Sequence, residues 1–273
     1  MTLAREFVDL RVGERELQLE CAWIASHRRD RPLLVFLHEG LGSAAMWRDW
    51  PESLCAAGGY RGLVYSRPGY GASTPRAPDE RWPVDFMHTQ ALEVLPRLFA
   101  ALNVQQPWLI GHSDGGSIAL IHAAQRPEHT AGVVAMAPHI MVEELSIESI
   151  RKAAHVYRTT DLRARLARYH ADPDSAFWGW NDVWLDPAFR GWSIEAMLAR
   201  LRCPVLAVQG ADDEYGTLAQ IEGIRERAPQ TELCVLDRCG HSPHRDRPDA
   251  LTAAIVDFIT RHEADTTLRG GMP

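Results

Sequence analysis

The residues able to do chemistry gather in three short stretches. The first is Gly111-His112-Ser113-Asp114-Gly115-Gly116. It follows the apolar run Trp108-Leu109-Ile110 and precedes an Ala-rich segment, 117–125, with apolar residues at helical spacing. This reads as strand, tight turn and helix. Gly111, Ser113 and Gly115 fit Gly-x-Ser-x-Gly, the pattern of a nucleophile elbow. A serine at the tip of such a turn sits in strained backbone with positive φ. Strand and helix then pass so close that the residues two before and two after must be small. The turn also aims the first helix amides at whatever the serine attacks.

A serine hydroxyl is a weak nucleophile until a base takes its proton, and that base must be held in one tautomer. The second stretch offers the orienting acid. Asp212 and Asp213 stand in Gly210-Ala211-Asp212-Asp213-Glu214-Tyr215-Gly216, directly after the buried strand 204–209. The third offers the base. His241 and His244 stand in Cys239-Gly240-His241-Ser242-Pro243-His244, after the strand 232–236. One histidine among twelve proves little. The order Ser, Asp, His, each just after a strand, is what discriminates.

A fourth stretch, His38-Glu39-Gly40-Leu41-Gly42-Ser43, follows the apolar strand 32–37. Its flexible backbone can turn an amide toward a developing oxyanion, alongside the Asp114 N–H. Each such donor is worth about 3 kcal/mol. An inward carboxylate at Glu39 would oppose that charge, so Glu39 is expected to point away or to pair with an arginine such as Arg67.

The elements that must position these residues alternate. Residues 7–10 and 17–24 read as an antiparallel hairpin, and 62–65 and 131–137 as further strands. Residues 47–57 read as one helix, 84–102 as a long helix interrupted at Pro96, and 217–227 and 248–262 as helices. Residues 264–273 are polar and small and are expected to fray. Strands alternating with helices imply a mostly parallel, doubly wound sheet covered on both faces. Residues 142–202 break the rhythm. They read as a helical cap inserted over the C-terminal edge of the sheet, where such sheets bind ligands, with the core formed by 1–141 and 203–273.

Composition sets bounds. The chain has 273 residues, 46% hydrophobic and 24% charged, which suits one large α/β domain or a domain with an insertion. The five cysteines, odd in number and without a Cys-x-x-Cys pair, read as buried thiols of a reducing compartment rather than a disulfide framework or metal site. The first residues lack an apolar signal core, and no apolar run reaches membrane-spanning length. A net charge of −7 with scattered arginines argues against nucleic acid and anionic membranes as partners. A cytoplasmic protein, monomer or homodimer, is expected.

Taken together the chain resembles the α/β-hydrolase superfamily, in its serine, esterase-like branch with a helical cap. The resemblance rests on His38-Glu39-Gly40-Leu41-Gly42-Ser43, Ser66-Arg67-Pro68-Gly69-Tyr70-Gly71-Ala72-Ser73, Gly111 to Gly116, Gly210-Ala211-Asp212-Asp213 and Gly240-His241. It implies Asp213 rather than Asp212 as the acid and His241 rather than His244 as the base. Relatives read His-Gly where this chain has His38-Glu39, so the second oxyanion amide falls to Gly40 or Leu41. The implied reaction is acyl transfer to water through an acyl-enzyme on Ser113, with no metal or organic cofactor. The expected substrate is a small short-chain or aryl ester. Glu39, His112, Trp178, Trp184, Trp192 and Ser242 are expected to line its pocket. The same triad on this fold also serves carbon–carbon bond hydrolases and enol-lactonases, and some relatives are lyases or receptor-like binders. A histidine base implies a rate that falls at acid pH.

Overall fold

The computed structural model describes residues 4–77 and 79–270. The chain opens with β1 (Arg5–Val12), β2 (Arg15–Ile24), β3 (Leu33–Leu37), α1 (Trp50–Gly58) and β4 (Arg61–Tyr65). It continues through α2 (Phe86–Thr89), α3 (Leu95–Leu102), β5 (Trp108–His112), α4 (Asp114–Gln125) and β6 (Gly132–Met136). Four helices follow: α5 (Glu144–Thr159), α6 (Leu162–Leu166), α7 (Pro173–Leu185) and α8 (Glu195–Leu198). The chain closes with β7 (Val205–Gly210), α9 (Ala219–Arg227), β8 (Thr231–Leu236), α10 (Pro243–Asp246) and α11 (Pro248–Gly270).

The eight strands form one sheet in the order β1-β2-β4-β3-β5-β6-β7-β8. The β1–β2 and β2–β4 pairs are antiparallel, and the rest are parallel. Strand β3 is flanked by β4 on one side and β5 on the other, so the winding reverses there. The crevice at that reversal is where an open α/β sheet receives a ligand.

Period-2 side-chain alternation builds a core on each face. Leu33, Val35 and Leu37 of β3 pack with Met87, Leu95, Leu98, Ile118 and Ile221, from α2, α3, α4 and α9. Leu34 and Phe36 pack on the other face with Trp50, Leu54, Leu251, Ile255 and Phe258, from α1 and α11. Strands buried on both faces explain the unbroken apolar runs in the sequence.

Three elements depart from the sequence expectation. The helix expected over 47–57 is split into a 3-10 turn, Ala44–Trp47, and α1, with Arg48 between them at φ 57°. Pro51 has no N–H and suits a helix start rather than a helix interior. The helical run 86–102 keeps Pro96 inside it, because a π turn, Gln90–Val94, widens the chain just before the proline. Helix α11 runs to Gly270, past the His262 at which the sequence reading ends it. Residues 271–273 of the expected frayed tail lie outside the described residues.

Helices α5 to α8 all lie between β6 and β7. The two ends of this insertion meet in an isolated bridge, Met141 to Ser193, beside the bond from Ile194 N–H to Ile140 O at 2.8 Å. All five cysteines are free thiols. Among the described residues no helix is long and apolar enough to cross a membrane.

A close backbone approach joins β3, β5 and α4. A β-carbon on Gly115 would lie 2.0 Å from Leu37 O, and one on Gly111 would lie 2.3 Å from Gly115 O. Both obstacles are backbone and cannot swing away. Gly115→Ala is expected to cost about 1–3 kcal/mol, the usual overpacking range. A Tm drop of several degrees in thermal unfolding checks this, and an unchanged Tm would show that the elbow has slack.

Candidate active site

Ser113 joins β5 to α4 with φ 53° and ψ −121°. Its own N–H donates to Met136 O on the neighbouring strand at 2.9 Å, and its carbonyl accepts from Gly116 N–H at 2.8 Å. The strained residue is thus gripped from both sides, which is how such a conformation persists. Helix α4 is buried from Asp114 to Ala124. Ser113 therefore stands on a support with little freedom to move.

The loops after β7 and β8 bring Asp213 and His241 to this point. His241 Nε2 lies 2.9 Å from Ser113 Oγ. His241 Nδ1 lies 2.9 and 3.0 Å from the two Asp213 carboxylate oxygens. Asp213 is held in turn: Gln209 Nε2 donates to Oδ2 at 2.6 Å, and the N–H of Tyr215 donates to Oδ1 at 2.8 Å. Burial pushes the Asp213 carboxyl up, but the hydrogen bond and charge of His241, aided by the Tyr215 amide, pull it further down. The acid therefore stays ionised, and its Nδ1 partner keeps the proton that leaves Nε2 free to accept. The His241 ring is boxed by Tyr215 at 4.7 Å and His139 at 5.9 Å between centroids. Its backbone is fixed as well. The carbonyl lies 2.6 Å from His112 Nε2, and the N–H donates to Glu214 Oε2 at 3.1 Å. Asp212 is exposed and His244 is packed against the stacked rings of Trp47 and Trp50; neither joins this chain of bonds.

The loop after β3 is organised by one carbonyl. Glu39 O accepts from His38 Nδ1 at 2.7 Å, from Arg67 Nη2 at 2.8 Å and from Gly42 N–H at 3.0 Å. His38 Nε2 accepts the Arg67 N–H at 3.0 Å, which assigns the Nδ1–H tautomer. Burial, then the Arg67 charge, hold His38 well below its usual pKa, so it is neutral as those bonds require. Three donors on one oxygen prevent the 39–40 peptide from flipping. In a trans peptide the Gly40 N–H then points the opposite way from that oxygen. Gly40 itself lies against the indole of Trp180, where a β-carbon would come within 2.2 Å of Nε1.

The Glu39 side chain does pair with an arginine, one of the two outcomes expected, but the arginine is Arg245 and not Arg67. Arg67 is fully buried and takes the Glu39 main-chain oxygen, while the carboxylate turns to Arg245 at 3.4 Å and to His112 Nδ1 at 3.5 Å. Burial pushes this carboxyl up, and His112, His244 and Arg245 together pull it well below the usual range.

A cavity of about 240 Å³ opens on Ser113 and His241. It is lined by Glu39, Gly40, Leu41, His112, Asp114, His139, Ile150, Trp180, Trp184, Glu214, Tyr215 and Ser242. Of the expected wall, Trp178 and Trp192 are elsewhere. Helix periodicity explains the first: Trp180 and Trp184, four apart on α7, share the inward face, whereas Trp178 lies beside Tyr157 and Phe177 with Arg158 over its ring. Trp192 follows the α7 helix and stacks on Phe189 at 5.3 Å. Trp180 could have been found by the same i, i+4 spacing. Ile150, His139, Glu214 and Tyr215 carried no signal beyond lying near the motifs or in the insertion. Among the described residues no group of His, Cys, Asp and Glu is arranged to hold a metal ion.

Two wall groups are electrostatically unusual. Burial pushes the Asp114 carboxyl up to about 6, against the pull of the Arg67 charge and of the bond from Trp184 Nε1 at 3.2 Å. Burial drops His139 to about 3. Replacing Trp184 by Phe removes a donor to the ionised form of Asp114, so the Asp114 carboxyl should titrate above its wild-type value. Carbon-13 NMR of labelled aspartate reads this directly, and a fall or no change would show that the indole does not stabilise the carboxylate.

The alpha/beta hydrolase family model matches residues 34–254. RutD of Agrobacterium fabrum, named as a carbamate hydrolase, is 27% identical over 247 residues, covering 82% of this chain and 92% of its own. The 2-hydroxy-6-oxo-6-phenylhexa-2,4-dienoate hydrolase of Burkholderia cepacia is 24% identical over 254 residues, covering 83% and 87%. Among solved structures the enol-lactonase from Burkholderia xenovorans LB400 superposes with a TM-score of 0.72 at 19% identity, covering 93% of this chain and 100% of that one.

Proposed function

This chain belongs to the alpha/beta hydrolase family, and we propose that it is a serine hydrolase of small carboxylic esters, short-chain or aryl. The observation that carries the reading is the line of contacts from Asp213 through His241 to Ser113, each about a hydrogen bond long. Ser113 attacks the acyl carbon while His241 Nε2 takes its proton. The imidazolium, held by Asp213, then protonates the departing alkoxide. Water repeats the sequence on the acyl-enzyme and regenerates Ser113. The scheme draws on no metal or organic cofactor.

The oxyanion forms beside the start of α4 and the loop after β3. The Asp114 N–H is the first of the helix and has no intrahelical acceptor. The clamped 39–40 peptide favours Gly40 over Leu41 as the second donor. Residues 142–202 act as a cap, since Ile150, Trp180 and Trp184 from α5 and α7 roof the cavity. Its volume lies below the roughly 300–1,000 Å³ usual for ligand pockets, which supports a small substrate. The rival cleavage of dienoates on the same triad would bring a carboxylate-bearing molecule to a wall that holds Glu39, Asp114 and Glu214 and neither Lys nor Arg.

The test is labelling with a fluorophosphonate probe, followed by turnover of p-nitrophenyl acetate. Wild-type protein should label at Ser113 and Ser113→Ala should not. Asp213→Asn, which leaves the wrong imidazole nitrogen protonated, should lower kcat by about 10⁴-fold. Turnover should fall at acid pH, and long-chain triglyceride emulsions should be poorer substrates than the acetate. Absence of labelling would remove the serine-hydrolase reading, and labelling without ester turnover would move it to the other reactions of this triad.

A further inference from the structure

Asp114 gives the cavity a charge that the protein leaves partly unanswered. The residue is fully buried and forms part of the cavity wall. Trp184 Nε1 donates to its Oδ1, but Oδ2 is buried with no hydrogen-bond partner. An unpartnered buried carboxylate oxygen is costly, and a native site that keeps one calls for a donor from outside. Arg67, the buried cation whose charge reaches Asp114, is engaged by the Glu39 carbonyl and does not line the cavity. A second wall atom, His139 Nδ1, is likewise buried and unpartnered. Both residues line the cavity that opens on Ser113. Trp180, Trp184 and Tyr215 supply aromatic surface around it, which suits a cationic group.

We propose that the cavity selects small acyl compounds whose acyl part carries an ammonium or other N–H donor, bound by Asp114 Oδ2, and that it rejects acyl groups ending in a carboxylate. The inference rests on the serine-hydrolase reading above and narrows it. Transition-state charge points the same way. The oxyanion would form beside the amide of Asp114 itself, where an unneutralised carboxylate opposes it. A substrate ammonium removes that opposition while the negative charge develops, so its benefit appears in the chemical step. An anionic acyl group adds a further like charge to Glu39, Asp114 and Glu214.

The experiment compares three p-nitrophenyl esters of near-equal length, corrected for spontaneous hydrolysis: β-alanyl, butyryl and succinyl. The first two differ only in an ammonium for a methyl group. In the wild-type protein β-alanyl should exceed butyryl in kcat/KM by about tenfold or more, and succinyl should fall below butyryl by a similar factor. In Asp114→Asn the β-alanyl to butyryl ratio should collapse toward unity. The ratio is internal to each variant, so a general loss of activity does not disturb it. If the variant fails to fold, the wild-type ratios still decide. A wild-type ratio of one or less, succinyl equal to butyryl, or an unchanged ratio in folded Asp114→Asn overturns the inference and leaves the hydrolase reading intact. Turnover of none of the three, with no phosphonate labelling, overturns both.

Discussion

Helix α4 begins where it does because two backbones are allowed to touch. The Gly115 α-carbon stands against the carbonyl of Leu37, and Gly111 stands against Gly115, with no room for a β-carbon at either position. That approach forces the chain through a residue of positive φ, and the residue is Ser113. Everything else in the site is arranged around the oxygen it projects. The loops after β7 and β8 deliver Asp213 and His241 to it, and the loop after β3 adds Gly40 to the wall of the same cavity. Loosening the contact would shift the reacting oxygen against partners that are themselves fixed by several bonds each.

Much of this was legible in the sequence because the motifs are backbone requirements written as residue types. Gly-x-Ser-x-Gly states a steric need, and the apolar runs 33–37, 108–110 and 205–208 state burial on two faces. The wall of the cavity was less legible. Tryptophans crowd residues 178–192, and which of them faces inward depends on where α7 starts and how it rolls. Trp180 and Trp184 point in, while Trp178 and Trp192 pack on other aromatic rings. The partner of Glu39 was also out of reach. Arg67 stands 28 residues away in sequence and Arg245 stands 206 away, and only the folded chain shows that the nearer one takes the carbonyl and the farther one the carboxylate.

Charge in this site is managed by geometry more than by count. Arg67 and His38 are buried together, one cationic and one neutral, and both act on a single main-chain oxygen. Glu39 brings a carboxylate to the wall of the cavity. Its backbone does the positioning, and its side chain is drawn aside toward Arg245 and His112. His112 in turn bonds the carbonyl of His241, so the residue before Ser113 also steadies the histidine beside it. These links tie the three loops into one network in which low dielectric raises the stake of each bond.

The bridge between Met141 and Ser193 pins both ends of the insertion to one spot on the rim. Everything between those residues is a closed excursion whose length the sheet does not sense. Ring-closure entropy grows only logarithmically, so doubling such an excursion adds about 0.6 kcal/mol. The roof can therefore be lengthened, trimmed or exchanged over evolutionary time as a cassette while the floor, with its strained serine, stays untouched.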